Sequence, residues 1–256
     1  MTRTGLLIAL AIAVVVGIVF GVWPRLDLEI ARIFYYPELN GFHFAWQRWM
    51  VVWRDVSSWM IALLVLPAGI ALVVKLIRPD RPMLVSGRAV LFLLVTITLA
   101  PGVVANGLLK EHWGRSRPID VTEFKGADPF VAWWDTRGVC PTNCSFIGGE
   151  PAGAFWTLAP AALAPPQWRM PAYGAALAFG GVVSVMRIAA GGHFFSDCVF
   201  AGVLTFLIIW TVHGLIFRWP RTRITDDGVE RAVERVAQWL RDMTGRVFRR
   251  GQGKPS

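Results

Sequence analysis

Three clusters of polar residues stand at the ends of apolar runs, where charge is costly unless it has a partner or a function. In the first, Lys-Glu-His-Trp-Gly-Arg-Ser-Arg-Pro, Lys110 and Arg117 lie seven residues apart, so a continuing helix sets both cations on one face. A lysine gives a compact charge and an arginine a flat fork of donors. Together they can hold phosphate oxygens, or anchor the chain at lipid headgroups. The second cluster, Gly148-Gly149-Glu150, follows Cys144-Ser-Phe-Ile. Its glycines let backbone amides approach an anion or let helices pack closely, and Glu150 can pair with a neighbouring arginine. The third runs from Arg187 through His193 to Asp197, with histidine and aspartate at i and i+4. On one helical face the carboxylate can fix the imidazole tautomer and leave the other nitrogen free to attack; a metal pair is the alternative chemistry at this spacing.

The elements that must carry these clusters follow from composition. The chain has 256 residues, 55% hydrophobic and 17% charged, which is too apolar for a soluble domain of that length and indicates a membrane protein. Apolar runs of about 20 residues, the length a bilayer core demands of a helix, recur along residues 1–217. They predict an all-α, polytopic fold with six transmembrane helices at about 6–23, 59–77, 89–109, 147–165, 171–190 and 196–217. The fourth run is the weakest, holding Glu150 and three prolines. The first is read as a retained helix rather than a signal peptide, because Trp23-Pro24-Arg25 forms no small-residue cleavage site. The net charge of +9 fits anchoring at anionic lipid, and nucleic acid is excluded as a partner.

With a cytoplasmic N-terminus, the inner connections carry Lys75, Arg78, Arg81, Arg88 and Arg169. The tail, 218–256, holds ten Lys/Arg against five Asp/Glu. In it Val229, Val233, Val236, Leu240, Met243 and Val247 recur at helical spacing, predicting a basic amphipathic segment on the inner leaflet. Outer segments hold arginines as well, among them Arg25, Arg32, Arg48 and Arg54, so the positive-inside rule is only partly met. In this topology all three polar clusters emerge on the outer, periplasmic face, although Lys110 and Asp197 are 87 positions apart. Cys140 and Cys144 share the longest interhelical loop; a small disulfide, free thiols, or a metal site with further ligands are the readings of that pair, and Cys198 is read as packing. The aromatic segment from Phe42 to Trp59 is either a short interfacial helix or a loop and helix anchored by tryptophans.

Taken together, the clusters resemble the type-two phosphatidic acid phosphatase superfamily of membrane lipid phosphatases. Its pattern is Lys-x6-Arg-Pro, then Pro-Ser-Gly-His, then Arg-x5-His-x3-Asp. Lys110 to Pro118 matches the first motif and Arg187 to Asp197 the third, in the same order. The middle motif departs, with Gly148 at the serine position and Glu150 at the histidine position, and only Gly149 retained. The resemblance implies a metal-independent phosphatase without cofactor, in which His193 is the nucleophile of a phosphohistidine intermediate and Asp197 orients it. Lys110, Arg117 and Arg187, with the amides of Gly148 and Gly149, would hold the phosphate. Glu150 would stand in as general acid, with His112 in reserve.

The Asn-Gly-Leu-Leu-Lys-Glu-His-Trp-Gly-Arg-x-Arg-Pro and Asn-Cys-Ser-Phe-x-x-Gly-Glu stretches look like bacterial lipid A phosphatases. That likeness implies an enzyme of the inner membrane acting on lipid A or another anionic phospholipid from the periplasmic side. Undecaprenyl diphosphate and phosphatidylglycerol phosphate would fit the same phosphate cradle. A lipid-binding or transport protein without turnover is the alternative class, against which the pairing of His193 with Asp197 stands.

Overall fold

The computed structural model describes residues 1–222 and 224–251; Arg223, residues 252–256 and the side chains of residues 244–251, that of Val247 among them, lie outside the described residues. The chain is mostly helical, and among the described residues the only sheet is a two-stranded hairpin, β1 (Tyr35–Tyr36) and β2 (Gly41–Phe42). Among the described residues five helices are long and apolar enough to cross a membrane: Arg3–Val22, Arg48–Ile77, Gly87–His112, Pro166–Ala189 and Phe195–Arg218. Their outward faces are crowded with exposed Leu, Ile, Val and Trp, which in water would be a liability and in lipid is solvation.

By contacts the chain divides into two compact units, residues 1–64 with 95–212, and residues 65–94 with 213 onward. In the first, α1 (Arg3–Val22) starts where the Thr2 side chain accepts the Gly5 amide at 3.1 Å. The short α2 (Arg25–Arg32) and the hairpin follow. Then comes α3 (Arg48–Ile77), which begins eleven residues before the expected Trp59. No helix breaker stands between Arg48 and Leu66, so the polar turn around Arg54, Asp55, Ser57 and Ser58 extends the helix, and the aromatic segment is divided between the hairpin, a short turn and this extension.

The rod Gly87–His112 consists of α4 (Gly87–Ile97), a π-helical stretch at Thr98–Leu109 and a closing turn, α5 (Lys110–His112). Pro101 lacks the amide a regular helix would bond, and the Asn106 side chain donates to the Pro101 carbonyl at 2.6 Å. The expected fourth span is two short helices, α6 (Gly149–Phe155) and α7 (Leu158–Leu163), lying almost wholly buried. A continuous helix would need a Pro160 amide bonding Trp156; with none available, the chain breaks at Trp156–Thr157 and restarts with the proline in its first turn. Small residues let α6 pack against α8 (Pro166–Ala189) and the π stretch. At Gly149 a Cβ would collide with the Asn106 amide oxygen.

The last long helix is α9 (Phe195–His213), continued by a π turn at Gly214–Arg218. Gly191, at φ 68°, makes the turn from α8 to α9, where a side chain would also strike the Phe42 ring. Two apolar clusters flank this turn. One joins Leu28, Ala31, Phe42, Val121, Phe124 and Phe194; the other joins Ala105, Phe146, Ile147, Ala152, Phe200 and Ala201.

In the second unit, α10 (Asp226–Gly251) turns Asp226, Glu230 and Glu234 toward basic partners. The buried Lys75 ammonium donates to Glu234 at 2.7 Å, Glu230 at 3.1 Å and the Arg81 carbonyl at 2.8 Å. Asp226 accepts from the Arg88 side chain at 3.0 Å and from the Ser86 hydroxyl. Val236, Trp239, Leu240 and Met243 remain exposed along the helix.

Candidate active site

His193 is fixed from three directions. It follows the Gly191–Gly192 turn two residues before α9 begins, and it is buried, with 1% of its surface exposed. Its Nδ1 lies 2.7 Å from the Ser145 carbonyl oxygen. A carbonyl only accepts, so Nδ1 carries the proton and Nε2 holds the lone pair. Burial, then the positive charges of Arg187, Lys110 and Arg117, hold the imidazole well below its ordinary range near 6.5. The neutral, nucleophilic form therefore prevails at neutral pH.

Among the described residues Asp197 makes no hydrogen bond to this ring. The expected i, i+4 contact requires both residues on one helix, and His193 lies outside α9. Asp197 instead accepts from the Ser145 hydroxyl at 2.5 Å, the Phe194 amide at 2.9 Å and Arg115 Nη1 at 2.5 Å. It acts on His193 at one remove, by fixing the residue whose carbonyl holds Nδ1.

Arg115 links this carboxylate to a second one. Its Nη2 donates to Asp27 of α2 at 2.8 Å, its Nε to the Val131 carbonyl at 3.1 Å, and its guanidinium stacks 4.3 Å from the Phe194 ring centroid. Asp27 also takes the Ser196 amide at 3.0 Å and the Ser196 hydroxyl at 2.5 Å, capping the first turn of α9. All four polar residues, Asp27, Arg115, Ser196 and Asp197, are at most 1% exposed, so a fully hydrogen-bonded ionic network underlies the His193 turn.

Lys110, Arg117, Arg187, Glu150 and Gly149 line one cavity of about 430 Å³, together with Arg54, Asn106 and Asn143. Gly148 and His193 are not among its lining residues; the two are neighbours, a Cβ at Gly148 falling 3.4 Å from His193 Cδ2. Arg117 is aimed by the Asn143 carbonyl, which accepts its Nε at 3.1 Å and Nη2 at 2.7 Å. That carbonyl belongs to the loop closed by the Cys140–Cys144 disulfide, whose Cys144 amide bonds the Lys110 carbonyl at 2.8 Å. Cys198 is a buried free thiol. Glu150 sits between two arginines: Oε1 accepts from Arg54 Nε at 2.9 Å, and Oε2 lies 2.5 Å from Arg187 Nε as an ion contact without hydrogen-bond alignment. His112 is exposed, with Nδ1 2.9 Å from the Leu108 carbonyl, and does not line the cavity.

Sequence reasoning passed over Arg54, Asp27, Arg115, Ser145 and Asn143. Arg115 was visible inside the first cluster, yet its fixed spacing drew attention to Lys110 and Arg117. Asp27 stands in an ordinary charged helix, and only burial distinguishes it from a solvated residue.

The chemistry of this site agrees with what the chain is similar to. The PAP2 superfamily profile matches residues 89–223. A lipid A 4′-phosphatase of Francisella tularensis subsp. novicida (strain U112) is 30% identical over 225 residues, covering 85% of this chain and 98% of the relative. Lipid A 4′-phosphatases of Rhizobium leguminosarum and Rhizobium etli are 36% and 35% identical over 115 and 114 residues. They cover 45% and 44% of this chain, and 49% and 44% of their own lengths. No solved structure matches the chain. A buried neutral histidine facing three cations, on a multi-pass helical scaffold whose sequence matches that profile over more than half its length, places the protein: it belongs to the PAP2 superfamily and is a membrane lipid phosphatase, a phosphoric monoester hydrolase.

Proposed function

We propose that this protein removes the 4′-phosphate of lipid A at the periplasmic face of the bacterial inner membrane, through a phosphohistidine on His193 and without a metal. The observation that carries the chemistry is the protonated Nδ1 on the Ser145 carbonyl, which leaves Nε2 as the only nitrogen able to attack. The choice of lipid is supported by the printed activity of the relatives, one of them matched over 98% of its length. The same orientation puts His193 and its cations at the outer ends of the spans.

In the proposed reaction Nε2 forms a bond to phosphorus while the bond to the sugar oxygen breaks. Lys110, Arg117 and Arg187 neutralise the phosphoryl oxygens, most strongly in the transition state. Glu150 gives its proton to the departing oxygen. A carboxyl must be protonated to donate. Water then attacks the phosphohistidine and returns a proton to Glu150; the P–N bond breaks, its electron pair goes back to Nε2, and inorganic phosphate leaves. Asp197 serves by holding Ser145.

The test is phosphate release by the purified protein from lipid A, undecaprenyl diphosphate and phosphatidylglycerol phosphate, with product mass locating the phosphate lost. Release from lipid A that disappears in His193→Ala and persists in EDTA is expected. Equal release from all three lipids, or from His193→Ala, would overturn the proposal. The periplasmic side is checked by presenting substrate to right-side-out and inverted vesicles; turnover restricted to inverted vesicles would reverse the orientation.

A further inference from the structure

Glu150 has two cationic partners, and they hold different oxygens. Oε1 accepts a well-aligned hydrogen bond from Arg54 Nε at 2.9 Å, whereas Oε2 meets Arg187 Nε at 2.5 Å without that alignment. Arg54 lies on α3, outside all three polar clusters and 96 positions from Glu150. It lines the phosphate cavity, and its side chain is 49% exposed. The remaining cations of the cavity, Lys110 and Arg117, make no hydrogen bond to Glu150.

The two arginines therefore differ in what substrate binding asks of them. Arg187 is needed on the phosphoryl oxygens, and turning there releases Oε2. Arg54 comes from α3, outside the three clusters, and its well-aligned bond to Oε1 does not have to break for Arg187 to turn. A carboxyl group held at one oxygen keeps its plane and presents the other. We propose that Arg54 is a positioning residue for the general acid: it holds Glu150 by Oε1 while Oε2 carries the proton to the leaving oxygen. The proposal rests on the reading of Glu150 as that acid.

The experiment compares kcat and KM on two substrates that differ in their need for an acid. Lipid A expels a sugar alkoxide, which must be protonated; 4-nitrophenyl phosphate expels a phenolate, which needs little help. Glu150→Gln is expected to lower kcat on lipid A roughly 10²-fold or more, the usual contribution of a general acid, with a much smaller loss on the aryl phosphate. Arg54→Ala is expected to show the same selective loss, about tenfold on lipid A, with Arg54→Lys intermediate. The double variant should be no slower than Glu150→Gln alone, because two residues acting through one group are not additive.

Equal losses on both substrates with a raised KM, additive with Glu150→Gln, would make Arg54 a phosphate ligand and overturn the proposal. A selective effect of Glu150→Gln without one of Arg54→Ala would overturn it while leaving Glu150 as the acid. No selectivity in Glu150→Gln would remove the acid reading itself, and the proposal with it.

Discussion

In the proposed reaction His193 owes its nucleophilicity to the way its proton is placed. The Ser145 carbonyl fixes Nδ1–H, and burial among cations disfavours a second proton. Because folding depresses this pKa, the neutral form survives acidification through the ordinary imidazole range. The acid limb of kcat/KM is therefore expected below pH 6.5, and a limb at or above that value would contradict the geometry. The same shift makes the unfolded chain the stronger proton binder, so the histidine's effect on stability is a decline as pH falls below about 6.5. Arg115 supports a different expectation. It is the sole cation hydrogen-bonded to the buried carboxylates Asp27 and Asp197 among the described residues. Arg115→Met would leave both uncompensated, and a loss of roughly 3–5 kcal/mol is expected in thermal or denaturant unfolding.

At the scale of elements, the site depends on pieces that depart from regular structure. The π stretch at Thr98–Leu109 carries Asn106 to the cavity, and the break after Phe155 shortens α6 to a buried helix whose first turn supplies Gly149 and Glu150. The disulfide loop is the third such piece. Asn143, at φ 54°, turns its carbonyl toward Arg117, and the bridge closes the chain on both sides of it. Replacing Cys140 and Cys144 by serine is expected to loosen that aim and raise KM roughly tenfold, the value of about one charge-assisted hydrogen bond, with a smaller change in kcat. An unchanged KM would show that the loop does not orient Arg117.

At the scale of the molecule, the candidate site residues all fall within one of its two compact units, and the other is held by charge. Lys75 gathers Glu230, Glu234 and the Arg81 carbonyl, so Lys75→Met strands two partly exposed glutamates. A loss of roughly 1–3 kcal/mol, kept small by solvent screening of the glutamates, is expected as faster amide exchange in α10, with turnover retained. Loss of turnover in step with that exchange would tie the tail to catalysis.

The membrane-spanning helical class and the family motifs that hold Lys110, Arg117, Arg187 and His193 are legible in the sequence alone. Apolar run length and the spacing of Lys110, Arg117, Arg187 and His193 are local properties that survive without coordinates. Helix ends and breaks were only partly legible: Pro160 marks the interruption in the fourth run, but composition does not say that the pieces are buried. Only the tertiary structure decided that Asp197 bonds Ser145 and Arg115 rather than His193, and that Asp27 and Arg54 belong to the site. Those pairings join residues 52 to 169 positions apart, and which groups meet across such distances is set by packing, not by spacing along the chain.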